Sequence, residues 1–95
     1  MQSQFPTSIR PRRICIASSP ESIRYVQNII VDQLLERGYC SRQVFAIRLA
    51  LEEALVNAVR HGNANNLTKC VEVSYLVSSF GTWIRVEDEG HGFDS

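Results

Sequence analysis

The stretch Leu51-Glu52-Glu53-Ala54-Leu55-Val56-Asn57-Ala58-Val59-Arg60-His61-Gly62 sets a carboxylate and an amide one helical turn apart in an otherwise apolar helix. With Glu53 at zero and about 100° per residue, Asn57 falls at about 40°, Ala46 at about 20° and Ala50 at about 60°. Val44, Ile47, Leu51, Ala54, Leu55 and Ala58 gather at roughly 100° to 200°, an apolar face suited to a core. Beside that face runs a stripe where polar groups alternate with alanines, and small residues there leave room for something to lie against the helix. Arg60 and His61 fall at roughly −20° and 80°, bordering the same stripe.

Glu52 points elsewhere, at roughly 260°, close to Arg48 four residues back, and an exposed i, i+4 ion pair accounts for it. Glu53 has no basic residue at either i±4 position, where Leu49 and Asn57 stand. Two readings of Glu53 and Asn57 follow. Either they are solvated or bonded to each other, or they serve a site. In the second case Glu53 can orient a nucleophile and accept its proton, and the Asn57 amide oxygen can ligate magnesium.

Further along, Asp88-Glu89-Gly90-His91-Gly92-Phe93-Asp94 follows a strand pattern. Ile84, Val86 and Asp88 share strand parity, so Asp88 is expected to face the core with the other two. A buried carboxylate needs hydrogen-bond partners, and the exocyclic amine of adenine can supply one. Gly90 and Gly92 allow positive φ and close approach of a ligand. The same residues are also compatible with an ordinary turn. Calcium binding is disfavoured, because EF-hand ligand spacing and a closing Glu are absent. His91 reads as exposed, and His61 as a helix-end residue suited to the negative end of the dipole.

Working outward, Ile9 to Ala17 reads as a strand, with Pro11 confining its first part to a sheet edge. Ser19 is an N-cap candidate, Pro20 suits the first turn and Glu21 the positive dipole end. Ile23, Val26, Ile30 and Leu34 recur at helical spacing until Gly38. Ser41 is the next cap candidate, for a helix from about Arg42 to His61 that Gly62 closes, and Asn63-Ala64-Asn65-Asn66 is a polar loop. Val71, Val73, Tyr75 and Val77 alternate with polar residues, and Phe80-Gly81 turns the chain into a second strand, Thr82 to Asp88, forming a hairpin. Strand, two helices and two antiparallel strands make an α+β, two-layer sandwich with both helices on one sheet face.

Residues 1–95 amount to one domain, with 44% hydrophobic and 21% charged residues, a composition of folded rather than disordered chains. Ten basic and ten acidic residues cancel, so no global field draws the chain to nucleic acid or an anionic membrane. The one basic run, Arg10, Arg12 and Arg13, reads as an exposed strand edge. Cys15, Cys40 and Cys70 lack metal-ligand spacing and are read as buried or half-buried free thiols. With no signal-peptide core and no run near the ~20 apolar residues of a membrane span, a reducing cytoplasm is the expected setting.

Taken in this order, the two motifs resemble the GHKL (histidine-kinase-like) ATPase superfamily over essentially Phe5 to Ser95. Glu53-Ala54-Leu55-Val56-Asn57-Ala58 looks like its N box, and Asp88-Glu89-Gly90-His91-Gly92 like its first glycine box. Within the superfamily, Ala50 to Gly62 and the Ser19-Pro20-Glu21-Ser22-Ile23 helix start are most similar to bacterial anti-sigma-factor serine/threonine kinases. The resemblance implies a Bergerat-type ATP-binding fold with ATP and magnesium as cofactors. It gives Glu53 the role of general base, Asn57 that of magnesium holder and Asp88 that of reader of the adenine amine. Gly90 and Gly92 would admit the nucleotide. Arg60 is placed near phosphate, although a surface arginine with its stem laid along the helix fits equally well. The implied reaction moves the γ-phosphate of ATP to a serine of an anti-anti-sigma protein, and the same kinase, usually a homodimer, sequesters a sigma factor. The alternatives are a non-catalytic interaction module of the same fold, or the ATP-binding part of another GHKL ATPase or histidine kinase. The fold so implied continues into a lid, a second glycine box, a helix and a strand. The expectation is therefore a truncated domain that recognises adenine but holds phosphates poorly.

Overall fold

The computed structural model describes residues 10–90. Strand β1 (Arg12–Ala17) is followed by helices α1 (Pro20–Glu36) and α2 (Ser41–Val56), a π-helical turn (Asn57–Gly62), and strands β2 (Cys70–Ser78) and β3 (Gly81–Asp88). The sheet is antiparallel in the order β1-β2-β3. Its register places Ile16, Val71 and Asp88 in one row and Ile14, Val73 and Val86 in the next. Val71, Val73, Tyr75 and Val77 of β2 are buried against Val26, Ile30 and Leu34 of α1 and Leu51 and Leu55 of α2. Each such side chain contributes roughly 1.5–3 kcal/mol by leaving water. The opposite sheet face carries Arg13, Trp83, Arg85 and Glu87, all exposed. The chain is thus the two-layer α+β arrangement expected, with both helices on one face.

β1 begins at Arg12, immediately after Pro11, whose missing N–H cannot join a ladder. It is an edge strand with Arg12 and Arg13 exposed on it, while Arg10 is exposed ahead of the strand rather than in it. Ser19 caps α1 by accepting from the backbone N–H of Ser22, with Pro20 in the first turn, and Gly38 takes φ +86 just beyond the helix end. α2 departs from expectation at both ends. Its N-cap is Cys40 rather than Ser41, and the Gln43 side chain accepts the Cys40 N–H at 3.0 Å. At the other end the helix widens after Val56 into the π turn, where Asn63 N–H donates to the Ala58 carbonyl at 2.8 Å, one residue further than an α-helix allows.

Two polar anchors hold α2 over the sheet. At one end the Tyr39 hydroxyl donates to the Ser78 carbonyl and accepts from Thr82 Oγ1, both at 2.8 Å, fastening the helix–helix connection to the strand hairpin. At the other end Asn63, only 1% exposed, ties the helix end to the start of β2 and to Glu89, the residue just after β3. Two expectations fail on the surface. All three cysteines are exposed rather than buried, because Cys15 and Cys70 lie on the open sheet face and Cys40 at a helix start. The ion pairs among the described residues are Arg13–Glu72 and Arg85–Glu87, so Arg48 and Glu52 point into solvent without closing their pair. At such exposed positions the Coulomb gain barely offsets the side-chain entropy lost.

Candidate functional site

α2 and β3 leave a groove of about 460 Å³ between them, lined by Ile47, Ala50, Leu51 and Ala54 on the helix and Thr82, Ile84 and Val86 on the strand. The small side chains of Ala50 and Ala54 are what keep it open. Glu53 on α2 and Asn57 at the start of the π turn are both exposed and do not line the groove, and no hydrogen bond or ion pair occupies either side chain among the described residues. The pairing between them that the sequence left open is not made.

Asp88 stands two residues beyond the groove residue Val86 on β3, and there it lies against Gly62. A Cβ placed on Gly62 would overlap the Asp88 carboxylate carbon and Oδ2 and lie 2.8 Å from Oδ1. Gly62 is therefore needed for close approach rather than for a left-handed cap, since only Gly38 and Gly90 among the described glycines have positive φ. Asp88 shares its strand face with Ile84 and Val86 as expected, but it is exposed, not buried. As the last residue of β3 it lies beside the helix end instead of beneath the helix, so parity placed its face correctly and its depth incorrectly. Its carboxylate makes no side-chain hydrogen bond among the described residues.

Beyond Asp88 the chain turns through Gly90 at φ +64, the left-handed geometry that favours glycine. Asn63 Oδ1 accepts the N–H groups of Glu89 and Gly90 at 2.9 and 3.0 Å. Lys69 Nζ donates to the Gly90 carbonyl, and Cys70 N–H donates to the Glu89 carboxylate at 2.7 Å. Asn63 Nδ2 donates to Ser18 Oγ at 3.0 Å and to the Cys70 carbonyl at 2.9 Å. Sequence reasoning placed Asn63 in a polar loop, which describes Ala64, Asn65 and Asn66 but not Asn63. Arg60 and His61 are exposed within the π turn, where wider winding replaces the helical angles assigned to them. Gly92, His91 and Asp94 lie outside the described residues.

The donor set suits a magnesium nucleotide. Among the described residues no group of three His, Cys, Asp or Glu side chains converges to hold a metal by itself. Magnesium takes oxygen ligands, keeps several waters and draws on substrate phosphates, so the one amide oxygen of Asn57 would be a sufficient protein contribution. An apolar groove with the Asp88 carboxylate two residues beyond its Val86 likewise suits a flat base with an exocyclic amine.

A two-layer α+β domain with this groove, a carboxylate–amide helix and an aspartate–glycine strand end is the architecture of a nucleotide-binding domain. The family model of the histidine kinase-like ATPase domain matches residues 16–95, and the chain belongs to that family. That membership carries an ATP-binding, ATPase- or kinase-type function, with magnesium the usual companion of the nucleotide. No curated protein matches the chain. Among the described residues, no helix is long and apolar enough to cross a membrane.

Proposed function

We propose that this chain is the ATP-binding domain of an anti-sigma-factor serine/threonine kinase. It would act in the bacterial cytoplasm on an anti-anti-sigma protein, sequester a sigma factor and work as a homodimer. Membership of the ATPase family supports the nucleotide, and the similarity of Ala50 to Gly62 and of the Ser19–Ile23 helix start supports the subtype. The observation that carries the reading is the pair Glu53 and Asn57, exposed and one turn apart, with Glu53 next in sequence to the groove residue Ala54, and Asp88 two residues beyond the groove residue Val86 and against Gly62.

In this reading the groove takes the base and Asp88 accepts the hydrogen bond of its exocyclic amine. Gly90 lets the backbone approach the nucleotide without a side chain in the way, and the resemblance gives Gly92 the same role. Asn57 holds magnesium through its amide oxygen, and Arg60 lies toward the phosphates. Glu53 orients the attacking serine hydroxyl and takes up its proton. Bound magnesium ATP supplies the phosphoryl group and the charge neutralisation that such transfer depends on. The protein's share is position and one base.

A second reading, a regulatory module that binds a protein partner without turnover, is favoured by the exposure of Phe45 (67%) and Leu49 (48%) on α2. Transfer of labelled phosphate from ATP to an anti-anti-sigma protein, lost in Glu53→Ala while ATP binding persists, supports the kinase. Binding of the partner with no transfer by the wild type supports the passive module.

A further inference from the structure

We propose that Asn63 is a positioning residue of the nucleotide site, fixing where Asp88 and the glycine turn stand relative to the magnesium-side helix. The inference rests on the nucleotide reading above and goes beyond the residues the family motifs contain.

The orientation of the Asn63 amide follows from its surroundings. Two backbone N–H groups, those of Glu89 and Gly90, face one end, which must be the oxygen. A backbone carbonyl and the Ser18 hydroxyl, itself donating to the Lys69 carbonyl at 2.8 Å, face the other end, which must be the NH2. All four hydrogen-bonding positions of the amide are thereby filled inside the protein. A buried amide satisfied on both ends has one rotamer and no tolerance for drift.

The two ends do different work. The nitrogen end fastens the start of α1 and the start of β2, which belong to the scaffold. The oxygen end grips the two residues immediately after Asp88. Gly62, the neighbour of Asn63, is the residue against which the Asp88 carboxylate lies. The dipeptide Gly62-Asn63 therefore governs three successive residues, one by leaving room and two by hydrogen bonds. It closes the π turn that opens with Asn57, so the proposed magnesium ligand and the proposed base reader are set from the two ends of one six-residue element.

A purely structural staple and a positioning residue differ in what they move. Ser18→Ala removes a scaffold contact of the nitrogen end and leaves the oxygen end intact. Asn63→Ala removes both. Calorimetric titration with magnesium ATP at low temperature, where both variants are folded by circular dichroism, separates the cases. The expected result is wild-type affinity in Ser18→Ala, and in Asn63→Ala a loss of about tenfold or more, the scale on which small misplacements act. Equal affinities in the two variants, or wild-type affinity in Asn63→Ala, overturn the proposal. A wild type that binds no nucleotide overturns the site reading itself, while Asp88→Asn losing affinity with Asn63→Ala unaffected overturns only this inference. Should Asn63→Ala fail to fold, amide exchange in the wild type decides. Glu89 and Gly90 amides exchanging as slowly as those of Val71 and Val73 support the grip, and exchange at free-loop rates refutes it.

Discussion

Substituting Gly62 by alanine should separate stability from nucleotide binding. The added methyl would occupy the place of the Asp88 carboxylate, overlapping its carbon and Oδ2 and lying 2.8 Å from Oδ1. What must yield is the end of an exposed side chain, not backbone. Turning that carboxylate aside costs about 0.5–1.5 kcal/mol if it leaves its preferred rotamer. Gly62 lies in helical backbone without positive φ, so alanine regains roughly 0.5–1 kcal/mol of helix propensity. The two nearly cancel, and stability measured by urea denaturation should stay within about 1 kcal/mol of the wild type. Binding should not be spared. A hydrogen bond to a charged group is worth about 1.5–3 kcal/mol, so moving the carboxylate away should weaken magnesium ATP by roughly tenfold to a hundredfold. Isothermal titration calorimetry on the same preparations reads the loss. Wild-type affinity in the folded variant would refute the role given to Asp88. A stability loss beyond about 3 kcal/mol would show instead that Gly62 meets something stiffer than a side-chain end.

Three further outcomes follow from individual side chains. Asn57→Ala should bind ATP equally well with magnesium and with a chelator, whereas the wild type should bind better with magnesium, as paired calorimetric titrations would show. Gln27 is buried on α1 with its Nε2 unpartnered among the described residues. Gln27→Met should accordingly raise unfolding stability by about 1 kcal/mol in urea, since an unsatisfied buried amide costs more than it contributes. Cys15, Cys40 and Cys70 are exposed, so all three thiols should react with an aromatic disulfide reagent in the native protein at rates close to those in denaturant.

Where pattern alone decides structure, the sequence was readable. Period-two alternation through Val71, Val73, Tyr75 and Val77 and the 3.6-residue recurrence of Ile23, Val26, Ile30 and Leu34 each place one face against one core, and the core contains those residues. Helical angles marked Ala50, which lines the groove, but not Ala54, which the same angles assigned to the core face. What local pattern could not show depends on distant segments meeting. Asn63 looks like its neighbours Asn65 and Asn66, and only the convergence of Ser18, Cys70 and the end of β3 buries it. The depth of Asp88 depends on where α2 stops, which strand parity does not contain. The π turn likewise carries no composition signal, and it shifts every angle assigned beyond Asn57. Cysteine burial was inferred from residue type, yet strand register sets Cys15 and Cys70 on the open face of the sheet.

In the proposed site Asp88, two residues beyond the groove residue Val86, reads the nucleotide base. Calorimetric titration of the wild type and Asp88→Asn with magnesium ATP and magnesium GTP tests it most directly. A carboxylate there accepts from the exocyclic amine of adenine and faces a carbonyl in guanine. The expected result is saturable ATP binding by the wild type, far weaker GTP binding, and loss of ATP binding in Asp88→Asn. Absence of ATP binding by the folded wild type, or equal ATP affinity in Asp88→Asn, would contradict it.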